Sequence, residues 1–184
     1  MKRIDALKVL DEVFGSDPLV ITCGATAREM ASISRKKTHL PLLDSMGLTT
    51  PVGLGVALGH SGRVGVIDGD GSLLMGFSIL PTLTAYAPKN LIVVVLDNGQ
   101  HASADGMFSQ AKVVEIAGAA KGLGLWVAEC DSAEAMKSHI ESRSNADAVS
   151  LIFVKIETGN TPNIPFYLAD PAKLGSDFKE AIAG

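Results

Sequence analysis

Cysteine is nearly absent from this chain: Cys23 and Cys130 stand far apart, without CxxC spacing. That pattern excludes a disulfide framework and a zinc site, and both residues are expected to be ordinary buried thiols. Basic charge is also missing. Sixteen Lys and Arg against twenty Asp and Glu leave a formal charge of −4, and the cations are scattered apart from Arg35-Lys36-Lys37, which reads as a solvated turn. Without a basic stripe there is no footprint for nucleic acid. No long apolar run occurs, so no segment reads as a membrane span. The first ten residues carry a charge every few positions and no apolar core, which excludes a signal peptide and leaves the cytoplasm as the expected compartment. Aromatic residues make up only 5%, yet the mean hydropathy is +0.28. A chain this apolar, with no membrane segment, is expected to bury part of its surface against another chain.

What the sequence does contain is a succession of continuous apolar, β-rich runs at residues 19–23, 64–68, 91–96, 125–128 and 149–156, with a short one at 39–43. Continuous rather than alternating runs fit strands covered on both faces, as in a parallel sheet whose crossovers are helices. Helical patterns fill the intervals at residues 25–34, 51–58, 73–85, 113–121 and 133–142, with 4–13 ahead of the sheet and 178–182 closing the chain. The expected fold is α/β, a three-layer α/β/α sandwich with a mainly parallel sheet. At 184 residues it is read as one domain over 1–184, with a polar, proline-containing extended arm at 159–171.

In such folds ligands gather at loops beyond the carboxyl ends of the strands. The unusual residues lie there: Cys23-Gly24-Ala25-Thr26, Asp44-Ser45-Met46-Gly47, Asp68-Gly69-Asp70-Gly71-Ser72 and Asp97-Asn98-Gly99-Gln100-His101. The small residues of Gly69-Asp70-Gly71-Ser72 let backbone N–H groups approach a phosphate at a helix start. A carboxylate at that place repels phosphate unless a metal lies between them. Asp70 therefore makes sense as a ligand to Mg²⁺, a hard ion that bridges carboxylates to phosphates. Asn98 adds a side-chain oxygen, and the turn at Gly99 presents the Gln100 carbonyl. A GDG triplet alone is a common strand-to-helix turn. Its pairing with Asp97-Asn98 at the end of the next strand makes the two loops neighbours at one sheet edge.

These features resemble the signature of thiamine diphosphate (ThDP) enzymes, GDG followed after a helix and a strand by a DN or NN pair. The run GDGSLLMGFSILPTLTAYAPKNLIVVVLDNGQHAS resembles the ThDP-dependent decarboxylases of phosphonopyruvate and sulfopyruvate. LDSMGLTTPVGLGVALG is similar to their GSMG-containing segment, and ITCGATAREM to their TG-x-T-x-RE loop. The resemblance covers about residues 19–124 and implies the ThDP diphosphate-binding fold with ThDP and Mg²⁺ as cofactors. It further implies Mg²⁺ held by the Asp70 and Asn98 side chains and the Gln100 carbonyl. Gly69, Gly71 and Ser72 would stand at the diphosphate, with Gly24 and Thr26 in the neighbouring loop. Met46, by itself an ordinary core methionine, would prop the cofactor into its bent shape, and the Asp44 carbonyl would face the aminopyrimidine. His101 is either an unremarkable loop histidine or a catalytic or substrate contact. Arg28 either pairs with a substrate carboxylate, sulfonate or phosphonate, or makes a surface helix salt bridge. His39, His60 and His139 are read as structural or solvated.

Two departures from that family stand out. Asp44 replaces the Gly that precedes SMG, placing a carboxylate near the expected aminopyrimidine, and the loop 102–110 differs from an STGGQ-like stretch. Met107 and Phe108 are expected to make that pocket edge more apolar, which leaves the identity of the 2-oxo acid open. No segment resembles the pyrimidine-binding domain, whose glutamate activates the cofactor. The implied protein is the diphosphate-binding (beta) subunit of a heteromeric 2-oxo acid decarboxylase, active with a pyrimidine-binding (alpha) partner that supplies this glutamate. A hetero-oligomer with two or more copies of each chain follows. Two alternatives are a subunit of an acetolactate synthase-like carboligase and a non-catalytic, regulatory ThDP-binding subunit.

Overall fold

Each of the long apolar runs becomes a strand of a single sheet in the computed structural model, which describes residues 1–183. In chain order the elements are α1 (Arg3–Phe14), β1 (Leu19–Ile21), α2 (Ala25–Ile33), β2 (His39–Pro41), α3 (Thr49–Gly59), β3 (Val64–Gly69), α4 (Asp70–Met75), α5 (Ile79–Tyr86), β4 (Leu91–Asp97), β5 (Gln100–His101), β6 (Met107–Phe108), a 3-10 turn (Gln110–Lys112), α6 (Ile116–Gly122), β7 (Trp126–Cys130), α7 (Ala133–Ser142), β8 (Ser150–Lys155) and α8 (Pro171–Ile182). Six strands form a wholly parallel sheet in the order β2-β1-β3-β4-β8-β7. β5 and β6 form a separate small antiparallel hairpin.

The central strand β4 explains why the runs do not alternate. Leu91, Val93 and Val95 pack with α3, α5 and α6 on one face, while Ile92, Val94 and Leu96 pack with α1, α2 and α7 on the other. All six are buried, and each contributes roughly 1.5–3 kcal/mol by leaving water. Helices cover both faces, so the architecture is the three-layer α/β/α sandwich expected from the sequence. Among the described residues no helix is long and apolar enough to cross a membrane.

Three boundaries differ from expectation. The helix foreseen at 73–85 is broken into α4 and α5. Gly76 N–H closes α4 on the Ser72 carbonyl, and a side chain at Gly76 would overlap the carbonyl of Gly47. Apolar spacing cannot register this backbone-to-backbone packing. The closing helix, expected at 178–182, begins at Pro171: Asp170 caps it by accepting from Ala172 N and Lys173 N, and Pro171 occupies the first turn. The third difference is α6, which starts at Ile116 because a 3-10 turn occupies 110–112. The stretch between β8 and α8 has no regular secondary structure.

Candidate cofactor site

The sheet order creates a crevice. From β1 the chain moves outward to β2, then returns to place β3 on the opposite side of β1. At such a switch point the loops leaving the two central strands part and expose the sheet edge between them. Asp68 and Gly69 pair with Val95 and Leu96, so Asp70 and Asn98 emerge from adjacent strands at almost the same height. Neighbouring strands lie about 4.8 Å apart, which sets the scale of the separation between the two loops.

A cavity of about 400 Å³ opens at this edge. Gly24 and Thr26 after β1, Asp44 and Met46 after β2, Gly69, Asp70, Gly71 and Ser72 after β3, and Asn98, Gln100 and His101 after β4 all line it. Every residue assigned to a cofactor, metal or catalytic role in the sequence therefore borders one space. Their hydrogen bonding is more specific than the sequence could state.

Asp70 is the first residue of α4 and is 3% exposed. Burial pushes its carboxyl up. A hydrogen bond from Ser109 opposes that shift, and the nearby Asp97 charge adds to it. The Ser109 hydroxyl is its side-chain donor. Among the described residues no Lys or Arg forms an ion pair with Asp70; the neighbouring Asp97 instead takes Lys155, at 2.8 Å. A buried carboxylate without a matching cation is expensive, and its environment suits a hard divalent ion. Among the described residues no three His, Cys, Asp or Glu side chains converge, so an ion bound here would need oxygens from amide groups and from its anionic ligand.

Asn98 is also buried, and its Oδ1 accepts from Gln100 N at 3.0 Å. One step earlier, Asp97 Oδ1 accepts from Gly99 N at 2.9 Å. Two successive side-chain-to-backbone turns thus set the course of this loop. An amide oxygen has a second lone pair, so Asn98 Oδ1 retains acceptor capacity.

Ser72, in the lining of the cavity, also serves the neighbouring loop. Its hydroxyl accepts from Gly47 N at 3.1 Å and lies near the buried carboxylate of Asp68. It therefore ties the Met46 loop to α4. Asp68, given no role of its own in the sequence, is fully buried and accepts from Thr50 Oγ1 at 2.7 Å and Gly69 N at 2.9 Å. Burial pushes its carboxyl up, and these bonds partly offset the shift. No spacing rule marks Asp68 or Ser109. Their roles arise from partners distant in sequence.

His101 lies on the hairpin with its imidazole directly over Gly71, where any β-carbon would overlap the ring. The glycine is required for this close approach. Ala102, next in the chain, accepts from Asn160 Nδ2 at 3.0 Å. Asn160 Oδ1 in turn accepts from Arg3, which forms a buried ion pair with Glu29 at 3.0 Å. The arm and the N-terminal helix thereby hold the loop that follows His101. Met107 and Phe108 correct an expectation: they are 62% and 65% exposed and line neither this cavity nor its neighbour. The two-residue strand turns them outward, and Lys112 Nζ sits 3.9 Å from the Phe108 ring centre. The apolar edge comes instead from Phe166 and Leu168 of the arm. Cys23, a half-buried free thiol raised by burial, lies between the two spaces.

Residues 22–154 match the model for the thiamine pyrophosphate enzyme, C-terminal TPP binding domain. The chain is 30% identical over 184 residues to the sulfopyruvate decarboxylase subunit beta of Methanothermobacter thermautotrophicus, covering 100% of this chain and 97% of that one. It is 32% identical over 182 residues to the phosphonopyruvate decarboxylase of Streptomyces viridochromogenes, covering 98% of this chain but only 46% of that protein. In three dimensions it superposes on the thiamine diphosphate-dependent 4-hydroxybenzoylformate decarboxylase of Rhodococcus jostii RHA1 with a TM-score of 0.74 at 19% identity, covering 88% of this chain and 33% of the other, which establishes a shared fold. The site at the switch point, the family match across most of the chain and the full-length similarity together place this protein in the thiamine pyrophosphate enzyme family, as a chain built around its C-terminal TPP-binding domain.

Proposed function

We propose that this chain is the diphosphate-binding subunit of a heteromeric, ThDP-dependent 2-oxo acid decarboxylase of the sulfopyruvate and phosphonopyruvate decarboxylase type. The carrying observation is the buried Asp70 carboxylate, without a cationic partner among the described residues, beside Asn98 in the cavity at the switch point. Similarity to beta subunits over nearly their whole length supports a separate partner chain.

In this reading Asp70, the Asn98 amide oxygen and the Gln100 backbone carbonyl hold Mg²⁺. The backbone N–H groups of Gly71 and Ser72 receive the diphosphate at the start of α4, and Gly69 keeps the approach open. Gly24 and Thr26 wall the cavity on the β1 side, Met46 supports the bend of the cofactor, and the Asp44 carbonyl meets the aminopyrimidine. Bound ThDP supplies the electron sink that lets carbon dioxide leave a 2-oxo acid. His101 holds or passes a proton through its imidazole, and the loop kept in place by Asn160 excludes water.

A partner must then complete the cavity. Met46, Leu48 and Met75 are 40%, 53% and 63% exposed around one hollow beside the site, and residues 45–62 contain no Lys, Arg, Asp or Glu. Such a charge-free apolar face suits burial against a pyrimidine-binding subunit, which would bring the activating glutamate. The test is reconstitution. The chain alone is expected to release no carbon dioxide, whereas the chain mixed with a pyrimidine-domain partner, ThDP and Mg²⁺ should decarboxylate a 2-oxo acid. Complex formation without turnover across a broad 2-oxo acid panel overturns the decarboxylase reading.

A further inference from the structure

The run Arg35-Lys36-Lys37, read from the sequence as a solvated turn, lines a cavity of about 110 Å³ that no residue of the loops after β3 and β4 borders. Side chains of β1, α2, β2 and α8 complete its wall, together with Tyr167 of the arm. Ile21, Met30, Pro41 and Leu174 make much of that wall apolar. Among the described residues Asp177 is its only acidic side chain, and that carboxylate is already taken by Lys173 at 3.1 Å. A chain of formal charge −4 thus gathers an excess of positive charge around one small space.

The three cations are not equally engaged. Lys36 Nζ lies 2.7 Å from Asp11 Oδ1, and Lys37 reaches Asp177 and Glu180 only at 3.9 and 3.8 Å. Arg35 forms no ion pair among the described residues. Its Nε donates to the Ala31 carbonyl at 3.1 Å, which leaves its terminal N–H groups available. His39, also in the wall, is buried, and its Nδ1 has no hydrogen-bond partner. Its Nε2 lies 3.4 Å from Asp11 Oδ1, beyond the usual range for such a bond. A buried imidazole without a partner costs free energy that a ligand oxygen can restore.

The arm is fastened beside this space. Tyr167 lies with its ring centre 5.8 Å from the Arg35 guanidinium, and Phe166 with its own 5.1 Å from that of Arg28, which makes no salt bridge among the described residues. Tyr167 and Ala27 border both this cavity and the larger one, of about 750 Å³, next to the cofactor loops. A ligand held at Arg35 would therefore brace the arm residue that walls the larger space.

We infer that the smaller cavity is an effector site for a small aliphatic carboxylate. The carboxylate meets the Arg35 guanidinium, the His39 imidazole serves as a second donor, and the aliphatic body covers Met30, Pro41 and Leu174. Sites for drug-sized ligands begin at roughly 300 Å³, so this one suits a molecule of a few heavy atoms. An inorganic anion would leave the apolar wall uncovered. No metal-loop or diphosphate-loop residue takes part, so the site stands whether or not the chain acts as a decarboxylase.

The experiment titrates isobutyrate, its neutral isostere isobutyramide and inorganic phosphate into the full chain by calorimetry, at fixed ionic strength. Isobutyrate should bind saturably, roughly 10-fold or more tightly than either of the others. Arg35→Gln, at an exposed position, should weaken isobutyrate binding roughly 10-fold without moving the unfolding midpoint of the free protein. Ala31→Leu places a good helix former on the half-buried side of α2 that lines the cavity, and should abolish binding by filling it. Amide hydrogen exchange at residues 166–169 should slow at saturation. Equal binding of the amide removes the role of charge, equal binding of phosphate shows an adventitious ion only, and no binding by wild type removes the site; each overturns the proposal. Binding that survives both substitutions places the ligand elsewhere and overturns it too, and unchanged exchange in the arm overturns the effector role.

Discussion

The Ser109 hydroxyl donates to the Asp70 carboxylate across thirty-nine residues of chain, and both side chains are buried. Ser109 N also donates to the Gly99 carbonyl at 3.0 Å, so one residue closes the hairpin and steadies the carboxylate. Ser109→Ala removes the side-chain bond while leaving the backbone one. Stability should fall by about 1 kcal/mol. Affinity for Mg²⁺ in the presence of ThDP should fall roughly 10–100-fold, as for other residues that orient a ligand, and calorimetric titration measures it. Unchanged Mg²⁺ affinity would remove Asp70 from the metal site.

Asp70 itself should carry opposite signs in stability and in binding. Without a cation its buried charge opposes folding, so Asp70→Asn should stabilise the cofactor-free chain by roughly 1–2 kcal/mol and raise its unfolding midpoint accordingly. The same substitution should abolish the further rise that ThDP with Mg²⁺ gives wild type. Thermal melts with and without ligand test both halves, and a ligand-induced shift that survives in Asp70→Asn counts against the assignment.

His39 provides the pH dependence. It is 5% exposed, and burial lowers its pKa from 6.5 to about 4; Asp11, whose Oδ1 lies 3.4 Å from Nε2, opposes the shift, and Lys36 reinforces it. Arg35, Lys37 and Asp177 line the same small cavity. The folded pKa is below the unfolded one, so the unfolded state binds the extra proton between them. The stabilisation is complete above about pH 6.5 and is lost as pH falls toward 4. At pH 5 the loss should be about 2 kcal/mol relative to pH 7.5. Denaturant unfolding of wild type and His39→Gln at both pH values reads it, since the glutamine cannot titrate and should show a correspondingly smaller difference.

Gly76→Ala tests the helix break. The added methyl would meet the Gly47 carbonyl, forcing apart α4 and the loop that presents Met46. Overpacking of this kind typically costs about 1–3 kcal/mol. Cofactor affinity should fall along with stability. An alanine variant as stable as wild type would mean that the α4–α5 break does not depend on this packing.

The layered fold was legible in the sequence because its cause is local. Strands buried on both faces must be apolar throughout, and the runs ending near Asp68 and Leu96 announced β3 and β4 with boundaries only one residue short. The loops at 69–72 and 98–101 were legible for the same reason, since consecutive parallel strands deliver them to one edge. The hairpin was not, because β5 and β6 are two residues each and carry no periodicity. Met107 and Phe108 look like pocket residues by composition and face outward by backbone direction.

The sequence by itself determined the strand and helix layers, the edge where ligands collect and the residues that border the cofactor cavity. Those follow from burial and from chain order. Only the tertiary structure decided that Ser109 serves Asp70, that the Ser72 hydroxyl accepts from Gly47, and that the arm brings Phe166 over Arg28. Hydrogen bonds and stacking require approach within a few ångströms by groups far apart along the chain. Spacing along a sequence carries no direction for a side chain beyond its own helix or strand.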